Sequence, residues 1–267
     1  LDLILIGKYF GPNDIAIYAI GFTFLSFLRT LWVSVFSPFS QRFNHFAGLN
    51  SDIELRKLIK IIIDYTFPLC ILVTLTLVLA SEKMTYYWVG EYYKDSILIL
   101  KILILGTVFN FVTHPASFYF NSKTKYKFIY LIALILPITF FLSLILLVPN
   151  YGLLGIAISK SLAMFFGFLI YMVGVSQIYK PIITIKKWFI NLSIMCLFIS
   201  FFFPLFLDNF FISQEKSTTN LVMLMVISGV IILLSYFVLL LTKQQQRNDL
   251  RAIWNYLYSL YKPSLTI

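Results

Sequence analysis

The sequence predicts an all-α integral membrane protein, a polytopic helix bundle of seven complete transmembrane helices and a truncated first one. Three observations lead there. Of 267 residues, 60% are apolar and only 12% charged, half the charged share of about 25% usual in soluble domains. The apolar residues gather in runs of about twenty, the length a helix needs to cross hydrocarbon. The lysines and arginines fall mostly between those runs and favour every second loop. The net charge of +10 therefore reports orientation in a membrane rather than a basic binding face. Membrane lipids are the expected surroundings, and nucleic acid is not an expected partner.

Residues 1–7 (LDLILIG) are apolar but too short to span. The chain starts without a methionine, so this stretch is expected to be the tail of a cut helix and the chain a C-terminal fragment. Gly11, Pro12 and Asn13 then form a turn cluster. The first complete span runs from Ile15 to Pro38, with Arg29 near its middle. Residues 39–60 are basic, and Ser51-Asp52-Ile53-Glu54 reads as a capping box opening a short helix on the membrane surface. The span over 61–80 carries Asp64 near its start and Pro68 one turn on, where a kink is expected. Tyr86, Tyr87, Trp88, Tyr92 and Tyr93 crowd the loop at 81–95, as in the aromatic belts at headgroup boundaries.

Further spans are predicted at 96–118, with Lys101 and the pair His114-Pro115, and at 128–148. The turn Pro149-Asn150-Tyr151-Gly152 leads into a span at 153–175 that contains Lys160. Two uncharged spans follow, at 188–207 and 221–242. In the tail, Leu250, Ile253, Trp254, Leu257, Tyr258 and Tyr261 are spaced for one helix face. An amphipathic helix on the inner leaflet and a frayed polar tail are the two readings of it. The chain divides into residues 1–175, a pair of additional helices over 176–242, and a tail over 243–267. The loops at 39–60, 119–127 and 176–187 and the tail are basic, and the alternate loops are neutral or slightly acidic. The positive-inside rule then predicts a cytoplasmic C-terminus.

Catalytic patterns are missing: there is no HExxH, GxSxG, phosphate-binding loop or paired-cysteine motif. No enzyme and no resident cofactor or metal is expected. Cys70 and Cys196 fall inside apolar spans, as small buried hydrophobes do. The charges within spans remain. A helix over 15–38 would rise about 36 Å and place Arg29 about 13 Å from its end, beyond easy reach of the headgroups. Such a charge is either functional or a structural pair with an acid on a neighbouring helix. Lys101 and Lys160 lie within snorkelling reach of the outer surface. If they and Arg29 faced one cavity, its interior would suit an anionic phosphate or pyrophosphate. Asp2, Asp64 and His114 are the titratable candidates for proton or sodium coupling, with packing the alternative for His114 and the membrane boundary for Asp64.

Asp2-Leu-Ile-Leu-Ile-Gly7 with Gly11 and Ile17-Tyr18, Trp88-Val-Gly90-Glu-Tyr92, Asn121-Ser-Lys123 and Pro149-Asn-Tyr-Gly152-Leu-Leu-Gly155-Ile-Ala157 occur in an order and spacing that resembles a known family. This is the C-terminal half of bacterial polysaccharide flippases, which carry O-antigen or capsule repeat units, within the multidrug/oligosaccharidyl-lipid/polysaccharide exporter superfamily. The resemblance covers residues 1 to about 175. It implies the C-terminal lobe of a two-lobe transporter in the bacterial inner membrane, moving an undecaprenyl-pyrophosphate-linked oligosaccharide by alternating access. It also implies a missing N-terminal lobe and, as further partners, polysaccharide polymerase machinery. Related lipid II flippases use cavity arginines, and by position Arg29 is the residue most like one of them. A multidrug or organic-cation antiporter of the same fold would favour cavity acids, and an oligosaccharide polymerase would need a sizeable outer loop. The sequence shows a basic excess within the spans and only short loops.

Overall fold

The computed structural model describes residues 2–211 and 216–241, with side chains from Ile6 onward. The described residues form eight helices: α1 (Asp2–Tyr9), α2 (Pro12–Gly48), α3 (Asp52–Val89), α4 (Ser96–Gly106), α5 (Asn110–Ser122), α6 (Tyr126–Ser176), α7 (Pro181–Phe210) and α8 (Thr218–Leu241). The tail expected to be amphipathic lies outside the described residues.

Helix starts follow local chemistry. Pro12 occupies the first turn of α2, where a missing amide costs nothing, and the Asp14 carboxylate accepts from the Gly11 amide at 3.1 Å. The capping box expected at Ser51 does not form, since the Ser51 side chain makes no cap hydrogen bond. The surface helix expected there is corrected too. α2 continues through Pro38 to Gly48, and α3 runs unbroken from Asp52 to Val89, so residues 52–60 are the first turns of a long helix. Pro38 leaves the Ser34 carbonyl without its helical donor, and the Ser37 hydroxyl supplies one at 3.3 Å. The chain reverses instead at residues 49–51, where Asn50 takes a left-handed φ of 51°.

α3 is the hub: 61% of its apolar window is buried inside the protein, against 11% in α6. Pro68 cannot donate to the Asp64 carbonyl, and the Trp188 indole of α7 does so at 3.0 Å. One residue on, the Tyr65 carbonyl accepts from the Tyr236 hydroxyl of α8 at 3.0 Å. On the other flank of α3, Pro115 frees the Phe111 carbonyl of α5, and Thr66 reaches it at 3.4 Å. The Lys83 ammonium of α3 donates to the Phe211 carbonyl at 2.8 Å and pairs with Asp208 at 3.5 Å. The outward faces of α6, α7 and α8 carry exposed Leu, Ile, Val and Phe, as a lipid-facing surface should.

Six described helical segments are long and apolar enough to cross a membrane, one fewer than the sequence reading counts. The spans expected at 128–148 and 153–175 belong to a single segment, α6, broken at Gly152 (φ 53°, ψ −128°). Its two limbs fold back on each other. A β-carbon on Gly155 would lie 2.7 Å from the Leu147 carbonyl oxygen, one on Gly167 3.0 Å from Leu136, and one on Gly174 3.2 Å from Phe128. Partner numbers fall as glycine numbers rise, which is the register of an antiparallel hairpin. The turns at 49–51, 123–125 and 177–180 lie at one end of the bundle, and those at 10–11, 90–95 and 152 at the other. The basic loops therefore share one end.

Because Gly155 sits against backbone that cannot swing aside, Gly155→Ala is expected to lower stability by about 1–3 kcal/mol. Gly229→Ala, with nothing within 4 Å of the added carbon, should leave it unchanged or slightly raised. Thermal unfolding of the detergent-solubilised protein reads both.

Candidate functional site

A cavity of about 520 Å³ lies where α2, the α4–α5 junction and both limbs of α6 meet. Imperfect helix creates it. Residues 107–109 form a tight 3₁₀ turn between α4 and α5, and Gly106 lies so close to Met164 that a β-carbon would come within 2.8 Å of its sulfur. Side-chain hydroxyls donate to two α4 carbonyls beside the break. Ser161 Oγ donates to the Ile102 carbonyl at 2.9 Å, and Thr107 Oγ1 to that of Ile104 at 2.7 Å.

Arg29, His114 and Lys160 all line this cavity. Arg29 is exposed on α2, and its charge acts on the His114 imidazole. Among the described residues no carboxylate lies within ion-pair distance of Arg29, so the acid on a neighbouring helix that would make it a structural pair is missing from this set. His114 is half-buried and stacks on Phe36 with ring centroids 5.0 Å apart. The Lys160 ammonium sits 5.5 Å from the Phe22 ring and 5.6 Å from that of Phe140, within the range of favourable cation–π contact.

Sequence reasoning passed over Asn110, Thr113 and Ser117, which line the same cavity. A signal was present. With His114 they stand at i, i+3, i+4 and i+7, a polar face on an otherwise apolar span. Thr113 donates to the Asn110 side-chain oxygen at 3.3 Å and Ser117 to the His114 carbonyl at 2.8 Å. No Asp or Glu is among the described lining residues, which carry positive charge and neutral hydrogen-bonding groups.

The other candidates are placed elsewhere. Lys101 lines a second cavity of about 780 Å³ at the end of the bundle opposite the basic turns, with Lys94, Asp14, Glu82 and Asp95. It therefore does not share a cavity with Arg29 and Lys160. Asp64 is buried between α3 and α7. Its carboxylate accepts from Tyr179 at 2.8 Å and from Thr184, and pairs with Lys187 at 3.3 Å. Asp2 opens α1, but its side chain lies outside those described. No group of metal-ligating side chains occurs among the described residues.

The described residues thus form an all-helical bundle with a cavity whose described lining is cationic. The structure is similar to that of lipid II flippase MurJ in its inward closed conformation, with a TM-score of 0.61 and 16% sequence identity over 85% of this chain and 48% of that one. The chain thus spans about half the length of the flippase it matches. No family model and no curated protein matches the sequence.

Asn at position 64 would keep the shape of the side chain and lose the charge opposite Lys187. Asp64→Asn is expected to cost about 1–3 kcal/mol. Asp64→Asn combined with Lys187→Met should cost less than the sum of the two single changes, since the pair is coupled. Melting temperatures of the four proteins measure this, and additivity would show that the pair is not a joint fastening.

Proposed function

We propose that the chain is the C-terminal lobe of a bacterial flippase that moves undecaprenyl-pyrophosphate-linked oligosaccharide repeat units across the inner membrane for surface polysaccharide biosynthesis. The observation that carries this reading is the meeting of Arg29 and Lys160, from α2 and α6, at one cavity with no carboxylate among its described lining residues. A guanidinium pairs with phosphate oxygens through two parallel hydrogen bonds, and an ammonium adds a compact charge. Asn110, Thr113 and Ser117 suit sugar hydroxyls. An organic-cation antiporter of the same fold would place acids where these cations stand.

Crossing hydrocarbon with a pyrophosphate and several sugars is prohibitive without a shielded polar route. In this mechanism the head group passes through the cavity while the polyprenyl tail stays in lipid, and the two lobes rock to open each side in turn. Residues 1–175 supply the lobe proper and residues 176–242 two additional helices, with the N-terminal lobe of the same protein forming the facing wall. Counting the two limbs of α6 as separate crossings turns the six long helical segments into seven, with α1 as the truncated one. The end that gathers the basic turns faces the cytoplasm, together with the C-terminus. Lys101 then lies toward the outer side, where it would meet the head group late in the cycle. His114, beside Arg29, is the cavity's titratable group for proton coupling.

Arg29→Ala is expected to abolish surface polysaccharide at unchanged protein level, and Arg29→Lys to restore it in part, because the charge survives while the fork geometry is lost. Polysaccharide extracted from the cell surface and immunoblots of membranes provide the two readouts. Normal polysaccharide from Arg29→Ala would remove the residue from the transport site.

A further inference from the structure

At the basic end of the bundle a cleft of about 180 Å³ opens between the start of α3, the end of α5 and the turn from α6 to α7. Arg56, Lys125, Tyr119, Gln177 and Asp52 line it. The turn beside it is strained, since Thr124, a β-branched residue, holds a left-handed φ of 52°. It splits two lysines. Lys123 reaches Asp52 at 2.7 Å, while Lys125 lies over the Tyr119 ring at 5.7 Å. The Asp52 carboxylate is thereby engaged. Among the described residues, Arg56 and Lys125 have no carboxylate within ion-pair distance.

The cleft thus carries two cations without an ion-pair partner among the described residues, beside an acid already bridged to Lys123. Its depth is marked by Tyr126 and Tyr130, exposed on the first turns of α6, the position aromatic side chains take at the headgroup level. Lipid phosphates are concentrated at that depth, and basic pockets between helices there suit anionic head groups. We infer that this cleft binds the phosphodiester head group of an anionic membrane lipid, with Arg56 and Lys125 as its phosphate ligands. Backbone hydrogen bonds from Lys123, Thr124 and Lys125 to the end of α5 hold the turn in place. The leaflet follows from the orientation given under the proposed function, but the binding itself requires no transport, so the two readings fail separately.

The full chain, purified in detergent, is titrated with short-chain phosphatidylglycerol and, separately, with inorganic phosphate, and bound species are counted by native mass spectrometry. Losing two surface cations should weaken phosphatidylglycerol binding about thirtyfold in Arg56→Gln/Lys125→Gln. The charge-preserving pair Arg56→Lys/Lys125→Arg should retain it, and Asp52→Asn should bind at least as tightly as the parent. If the double glutamine variant does not fold, Arg56→Gln alone is read in the same way, with about a fivefold loss expected. Equal phosphatidylglycerol affinity in parent and glutamine variant overturns the inference. So does displacement of the lipid by an equal concentration of inorganic phosphate, which would make the cleft a site for the free ion.

Discussion

Pro68 has no amide proton, and the gap it leaves in α3 is where the two last helices attach. An unmet carbonyl in hydrocarbon costs several kcal/mol, so the Asp64 carbonyl calls for a donor from another helix. Trp188 of α7 provides it, and Tyr236 of α8 serves the neighbouring Tyr65 carbonyl. Lipid tails are as apolar as leucine, which leaves little hydrophobic drive for helices to associate within the membrane. Specific donors aimed at specific carbonyls therefore decide which helices meet α3, and where. The Asp64 carboxylate, one side chain away, adds Tyr179, Thr184 and Lys187 to the same fastening.

The same device works on the opposite flank of α3, where Thr66 meets the Phe111 carbonyl that Pro115 has freed. α3 thus holds α7 and α8 on one side and the broken α4–α5 span on the other. The break itself borders the cavity, and Ser161 and Thr107 donate to α4 carbonyls beside it. Charges divide along this line. Asp52, Asp64 and Lys83, all on α3, are each paired with a residue of another element. Among the described residues, the lining of the cavity beyond the break carries cations and no acids. Charge in the first region fastens helices, whereas under the proposed reading the second meets an anion.

Much of this was legible in the sequence, because each span advertises itself by hydropathy and every second loop by its basic content. The gathering of the basic turns at one end of the bundle was readable for the same reason. Arg29 stood out as a charge too deep to snorkel, and the polar face of Asn110, Thr113, His114 and Ser117 was there in the spacing. The extent of the helices was less legible. Basic residues at 39–60 look like a loop, yet α2 and α3 carry helix well past the apolar core, since exposed lysine and arginine are good helix formers. The partners of Asp64 could not be read, because Tyr179, Thr184, Lys187 and Trp188 lie over 110 residues away in the chain. Nor could the separation of Lys101 from Lys160, which depends on the 3₁₀ turn and on the reversal at Gly152.

What faces α2 is constrained mainly by Arg29. On its exposed side Thr23, Thr30, Ser34 and Ser37 each donate to a carbonyl of the preceding turn. A hydroxyl bonded to its own helix can border lipid, protein or water at little cost, so these residues leave the surroundings of the helix open. Arg29 does not. An unpaired arginine at mid-membrane depth costs from about 2.5 to well over 10 kcal/mol, and no carboxylate among the described residues lies close enough to offset it. A neutral or cationic substrate would leave that charge uncompensated at the moment it displaced water. An anionic one compensates it, so under the proposed reading the cost of carrying Arg29 within a span becomes selectivity for phosphate-bearing cargo.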